Sequence, residues 1–167
     1  MKLSIMLLFM LISSNAFAHP IDMNILAQIE SSSNPDAVSY RGAKYGRGLY
    51  QISEIALKHF NVGHRQIMAR ASHDTVMWRT LHRAENYANS HNFTGNDLFV
   101  PTINKIVANW YLDWIHERTG NEIHTLVCWN WGYGNWRKWY RSDGKFRNLP
   151  KETRGFLKKY EQLGGVL

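Results

Sequence analysis

The sequence predicts a mainly α-helical protein, on two observations, the spacing of its apolar residues and its small number of prolines. Its apolar residues recur mostly at three- and four-residue intervals rather than in alternation, which is the spacing of a helical face. The 167 residues include only four prolines, so long helices are not interrupted. A single cysteine, Cys128, excludes an intramolecular disulfide framework, and a small buried apolar role is expected for it.

The first eighteen residues predict a secretory signal peptide. One charge, at Lys2, precedes an apolar run from Leu3 to Ile12, and the segment ends in Ala-Phe-Ala at 16–18. This order is typical of export signals. We therefore expect a signal peptide over residues 1–18, cleavage after Ala18, and one mature domain over residues 19–167. No membrane anchor is expected, because no other apolar run approaches the length of a membrane helix and the residue after Ala18 is not a lipid-bearing cysteine.

Helices are predicted in order along this domain. The first places four apolar residues on one face (Ile21, Ile25, Leu26 and Ile29) and ends at Asn34-Pro35, because the residue before proline disfavours the helical conformation. A glycine-bearing loop is expected over 34–51. Further helices are expected over 52–59, about 74–90, from Asp97 to a C-cap at Gly120, 122–131 and about 150–163, with a basic turn-rich segment before the last.

Eight histidines raise the question of a metal site. Four of them (His64, His73, His82 and His91) are nine residues apart. On a helix that spacing turns the side chain by about half a circle, whereas ligand pairs need three- or four-residue spacing. The sequence also lacks the motifs of serine nucleophiles and nucleotide-binding loops. Surface or packing roles are therefore expected for the histidines, with no metal and no cofactor.

Glu30 is the carboxylate best placed for chemistry. It follows apolar Ile29 near the end of the first predicted helix and adjoins the glycine-bearing segment. A buried or half-buried carboxyl group there is expected to have a raised pKa, which is the condition for a proton donor near neutral pH.

Four segments in order resemble the soluble lytic transglycosylase (SLT) domain family, relatives of goose-type lysozyme. They are ESSSNPDAVS at 30–39, GLYQIS at 48–53, CWNWGYGNWRKW at 128–139 and LPKETRGFLKKY at 149–160. The corresponding family elements are Glu-Ser, Gly-Leu-Met-Gln, Ala-Tyr-Asn and Glu-Thr-Arg-x-Tyr. The resemblance implies a lysozyme-like, mainly α fold with a substrate cleft between helical lobes.

The resemblance also assigns roles to individual residues. Glu30 falls on the catalytic acid/base, and Ser39, Gln51 and Asn130 fall on residues that contact the substrate. Tyr50, Trp129 and Glu152 lie within the same motifs, and substrate contact is implied for them as well.

Three positions depart from the family pattern. Tyr50 replaces a Met that lines a sugar subsite, which changes the expected sugar preference. Trp129 replaces a Tyr, which keeps an aromatic wall but loses a phenol. Phe156 replaces a Tyr whose hydroxyl lies near the catalytic Glu, so a different tuning of Glu30 is expected.

The implied activity is lytic cleavage of peptidoglycan between N-acetylmuramic acid and N-acetylglucosamine, ending in 1,6-anhydro rings. Hydrolysis is an alternative if a second carboxylate positions a water molecule. By their positions in the motifs, the nearest candidate carboxylates are Asp36, Glu54 and Glu152. An inactive glycan-binding relative is a further alternative. The expected protein is a monomer in the periplasm or secreted, which acts on glycan strands and serves a secretion or conjugation apparatus.

The positive charge of the chain is local. The chain carries 20 Lys and Arg against 13 Asp and Glu, and residues 137–159 hold nine of these cations against Asp143 and Glu152. A solvated helix face and steering toward an anionic cell-wall polymer are both open interpretations of this segment. Nucleic-acid binding is not expected, because export separates the protein from nucleic acid.

Overall fold

The computed structural model describes residues 19–41, 44–71 and 92–167, of which 41, 44 and 64–71 are described as backbone. The predicted signal peptide and the helix predicted over about 74–90 lie outside these residues. The described residues form six α-helices, which are α1 (Met23–Ser31), α2 (Glu54–Ala71), α3 (Pro101–Thr119), α4 (Glu122–Trp131), α5 (Tyr133–Ser142) and α6 (Lys151–Gln162).

Helices α3 and α4 form the centre of the core. Leu126, Val127 and Cys128 of α4 are fully buried, because α4 packs against α3, α5 and α6. Gly120, in the left-handed conformation with φ 64°, ends α3 as the sequence predicts, and α4 begins two residues later. The side chain of Asn121 caps α4 by accepting from the backbone nitrogen of His124.

The segment 34–51, expected to be a loop, contains most of a small antiparallel sheet. Its strands are β1 (Val38–Arg41), β2 (Lys44–Arg47) and β3 (Ile52–Ser53), in the order β1-β2-β3. The strands are too short and too rich in glycine and polar residues to produce an alternating pattern in the sequence. The sheet packs against α2 and α3.

Two helix boundaries also differ from expectation. Helix α2 runs to Ala71, well beyond the predicted end at 59. Asp97 lies in a short 3₁₀ turn (Asp97–Phe99) and accepts hydrogen bonds from Thr94, whereas α3 begins at Pro101. Proline is favoured in the first turn of a helix because its missing N–H has no intrahelical partner there.

Helix α5 replaces the expected basic turn. Its Trp136 and Trp139 are buried, whereas its Arg137, Lys138 and Arg141 are exposed. The aromatic residues lie at helical spacing, but the cations between them obscure the apolar face. Burial against α4 therefore decides the conformation of this segment.

Cys128 is a buried free thiol, which confirms the packing role expected for it. Burial raises the pKa of this thiol to about 12, so the reactive thiolate is scarcely populated at neutral pH. We expect no labelling of the folded protein by iodoacetamide at pH 8 over an hour and complete labelling in denaturant, measured by mass spectrometry. Rapid labelling of the native protein would contradict this burial.

Candidate active site

Glu30 is held at the edge of a cleft by the geometry of α1. The residue lies four positions after buried Leu26 and three after buried Ala27, so its side chain leaves the helix on the core-facing side and is half-buried. Asp22 caps the start of α1 by accepting from two backbone nitrogens of the first turn. At the other end, the hydroxyl of Ser31 donates to the carbonyl of Leu49, which ties α1 to the segment between β2 and β3.

Trp129, on α4, contacts Glu30 directly. Its indole Nε1 donates to Glu30 Oε1 at 2.8 Å, across a separation of 99 residues in the chain. The Trp129 ring also lies beside Tyr111 of α3, with the ring centroids 5.9 Å apart. The indole that the sequence predicts as an aromatic wall is therefore also a hydrogen-bond donor to the carboxyl group.

The sheet brings Ser39 and Gln51 to the same cleft. Gly46 lies opposite Ser39 in the ladder, and a Cβ atom built on Gly46 would be 2.8 Å from Gln51 Oε1 and 2.9 Å from Ser39 Oγ. Glycine at 46 thus permits the two polar groups to approach each other. Gln51 Nε2 donates to the carbonyls of Ala37 and Gly48, whereas its buried Oε1 has no hydrogen-bond partner among the described residues.

Asn130 lines the opposite wall, at the end of α4. Its Oδ1 accepts a hydrogen bond from Thr153 Oγ1 at 2.9 Å, and Thr153 is buried in α6. The Thr of the Glu-Thr-Arg motif therefore positions Asn130. Gly132, with φ 91°, separates α4 from α5 and lines the cleft as well.

The cleft has a volume of about 490 Å³, within the range typical of ligand sites. Aromatic side chains line much of it (Tyr45, His59, Tyr111, Trp129, Trp131 and Tyr133). Burial raises the pKa of Tyr111 to about 12, so its hydroxyl stays neutral. Among the described residues that line the cleft, Glu30 is the only carboxylate.

Two of the predicted substrate residues lie elsewhere. Tyr50 is 4% exposed, belongs to the core and is absent from the described lining of the cleft, in contrast to the sugar contact implied by the resemblance. Glu152 is exposed on α6 and is likewise absent from that lining. Their neighbours point in other directions: Gln51 lines the cleft, and Thr153 hydrogen-bonds Asn130, which lines it.

The candidate second carboxylates are also outside the described lining. Asp36 is exposed in the turn before β1. Glu54 is exposed at the start of α2 and pairs with Arg47 at 3.5 Å.

Phe156, the residue at the position of the family Tyr, is buried in the core, at 6% exposure.

Asn104 is a positioning residue that the sequence did not reveal. This fully buried side chain on α3 accepts from the backbone nitrogen of Tyr50 and donates to the carbonyls of Arg47 and Leu98. It thereby fixes the segment that presents Gln51. The only signal in the sequence is an amide within an apolar helical stripe.

The described residues contain no cluster of three or more His, Cys, Asp or Glu arranged to hold a metal ion. Of the helices in the described ranges, none has the length and apolar character needed to cross a membrane. Eight of the nine cations over 137–159 are exposed, and the ninth, Arg154, is partly so.

The fold and the site define a class of protein: a mainly helical domain with an aromatic, amide-lined cleft around one half-buried carboxylate, which suits a glycan strand. The transglycosylase SLT domain family matches residues 19–150, most of the chain. The chain therefore belongs to this family, whose domains have a lysozyme-like, mainly α fold and a lytic transglycosylase-type, peptidoglycan-cleaving function. The predicted family and fold class are confirmed. No curated protein matches the chain.

Proposed function

We propose that the protein cuts the β-1,4 bond between N-acetylmuramic acid and N-acetylglucosamine of peptidoglycan, with Glu30 as a single acid/base, and leaves 1,6-anhydro ends. The observation that carries this proposal is that Glu30, bonded by Trp129 at 2.8 Å, is the only carboxylate in the described lining of the cleft. Most glycosidases use two carboxylates, so one carboxylate favours a reaction in which the substrate supplies the second group.

The reaction has two proton transfers. Glu30 protonates the glycosidic oxygen as the bond to the muramic acid breaks, and the N-acetyl group and nearby dipoles stabilise the positive charge that develops at the anomeric carbon. The Glu30 carboxylate then removes the proton of the muramic acid's C6 hydroxyl. That oxygen attacks the anomeric carbon and closes the anhydro ring, so Glu30 regains its proton and no water is consumed.

Trp129 determines which oxygen of Glu30 carries the transferred proton. An indole N–H only donates, so Oε1 acts as the acceptor in either protonation state. The transferable proton therefore belongs on Oε2. Gln51, Ser39 and Asn130 line the cleft around Glu30 and would contact the bound strand.

We place the protein in the periplasm or outside the cell, where its substrate lies, and propose that it opens the wall for a secretion or conjugation apparatus. The exposed cations over 137–159 continue from the α5 end of the cleft and would attract an anionic wall polymer.

Product mass tests the proposed reaction. The enzyme is incubated with purified peptidoglycan, and the released muropeptides are measured by mass spectrometry. We expect ends that are lighter by one water than hydrolytic ends. If only the heavier ends were found, the reaction would be hydrolysis, as in goose-type lysozyme. Binding without any release would indicate a glycan-binding protein.

Replacing Trp129 by Phe is expected to lower kcat by about 10- to 100-fold with little change in KM. Phe keeps an aromatic ring in the cleft but removes the donor to Glu30, and a hydrogen bond to a charged group contributes about 1.5–3 kcal/mol. Steady-state rates on a soluble glycan chain that contains muropeptide units give kcat and KM separately. Trp129→Tyr is the matched variant, because its hydroxyl restores a donor and is expected to retain more activity than Phe. Equal rates for the two variants would contradict the positioning role.

A further inference from the structure

Asp113 is a buried carboxylate that the proposed reaction does not use. It lies on α3 and is 8% exposed. Its Oδ1 accepts from the backbone nitrogen of His19 at 3.3 Å, and its Oδ2 is buried with no hydrogen-bond partner among the described residues. A carboxylate removed from water is costly unless a charge or several donors compensate it. One long hydrogen bond from a neutral amide compensates the burial of the Asp113 carboxylate only weakly.

His19 is also the residue at which the mature chain is predicted to begin. In the full-length chain its nitrogen is an amide with one N–H. Cleavage after Ala18 converts the same nitrogen into an amino group, whose ordinary pKa of about 7.7–8.0 leaves it mostly charged at neutral pH. A charge-assisted bond contracts to about 2.7–2.9 Å, so only a small movement separates the observed contact from an ion pair.

We propose that Asp113 is the receptor for the α-ammonium group of His19, so that removal of the signal peptide completes a buried ion pair within the fold. The ammonium group has three N–H donors, enough to serve Oδ1 and Oδ2 together. This inference is independent of the proposed reaction at Glu30, because it concerns an ion pair that forms when the signal peptide is removed.

The segment that carries the new terminus is already held against the core. His19 Nε2 lies 3.1 Å from Asn109 Oδ1, and the backbone nitrogen of Asp22 donates to Tyr160 Oη at 2.7 Å. Asp22 caps α1, the helix that carries Glu30. The ion pair would therefore join α3 to the entry of α1 and stabilise the packing of that helix.

A cation beside Asp113 would offset the effects that raise the pKa of its carboxyl group. Burial raises the pKa of Asp113, and the neighbouring Glu117 acts in the same direction, whereas His19 and His116 lower it. A charged amino group beside Oδ1 adds the nearest positive charge and favours the carboxylate form.

The first test uses the full chain, exported from a bacterial host. The mass of the exported protein is expected to match residues 19–167, and cleavage at another bond, or none, would overturn the proposal. A second chain carries Gly-Ser inserted directly after Ala18, which moves the amino group two residues away from Asp113. The insertion is expected to lower Tm by about 5 °C. An unchanged Tm would overturn the proposal.

A double-mutant cycle identifies the partner. In an Asp113→Asn background the Gly-Ser insertion is expected to shift Tm by less than about 1 °C, because the charge partner is gone. Glu117→Gln, one helical turn away on α3 and exposed, is the matched control and should preserve the full shift. A full shift in the Asp113→Asn background would overturn the proposal.

Amine reactivity provides a measurement that requires no Asp113 variant. At pH 7.5 an α-amine-selective aldehyde is expected to label the Gly-Ser-extended protein at least 10-fold faster than the protein that begins at His19. Equal labelling rates would mean that the amino group is free in solution, and would overturn the proposal even if Asp113→Asn does not fold.

Discussion

Glu30→Gln is expected to reduce muropeptide release from purified peptidoglycan by about 10²- to 10⁴-fold, the usual contribution of general acid–base catalysis. A carboxamide has no acidic proton to give to the glycosidic oxygen and cannot remove one from the C6 hydroxyl. Its oxygen can still accept from Trp129 Nε1, so the hydrogen bond seen at 2.8 Å is retained. Far-UV circular dichroism and Tm should therefore match the unmodified protein.

Two exposed carboxylates supply the controls for this experiment. Asp36 and Glu54 lie close to the motifs but outside the described lining of the cleft. Asp36→Asn and Glu54→Gln are each expected to retain at least half of the activity. Substantial release by Glu30→Gln would contradict the assigned role, and loss of activity in either control would identify a second catalytic carboxylate.

The second large effect is expected at Asn104, on stability. Asn104→Ala removes one acceptor and two donors of a fully buried side chain, leaving the backbone nitrogen of Tyr50 and the carbonyls of Arg47 and Leu98 without those partners. Each buried group left unsatisfied costs about 1–3 kcal/mol. We expect the free energy of unfolding to fall by about 3 kcal/mol or more.

Gly48 approaches the Asn104 side chain closely. It has φ +72°, and a Cβ atom there would clash with the carbonyl oxygen of Leu98 and with Asn104 Nδ2. Urea unfolding measures the loss, and a rise in KM should accompany it because the same segment presents Gln51. Asn96→Ala is the matched control, since this exposed residue makes no capping hydrogen bond and should change stability by less than about 0.5 kcal/mol. A small loss at Asn104 would show that the segment is held by other contacts.

Motifs and local periodicity located much of the candidate site. Glu30, Ser39, Gln51, Trp129 and Asn130 are separated along the chain but line one cleft, as the resemblance implies. Helix α4 and helix α6 follow the predicted ranges closely, because their apolar residues repeat at helical spacing and their ends carry recognisable signals.

The sheet and α5 could not be anticipated in the same way. The strands pair through backbone groups of short polar segments, for which side-chain periodicity carries little information. Helix α5 forms because its two buried Trp residues pack into the core, an energy that depends on neighbours distant in the chain.

By itself, then, the sequence determined the family and the mainly α fold class, and it predicted the carboxylate of the candidate site, since these depend on residue identities and local spacing. Tertiary structure alone decided that Tyr50 faces the core while Gln51 faces the cleft, that Trp129 donates to Glu30, and that the nitrogen of His19 meets Asp113. The physical reason is that hydrogen bonds and burial depend on distances between atoms, and chain folding sets those distances between residues as far apart as 99 and 94 positions.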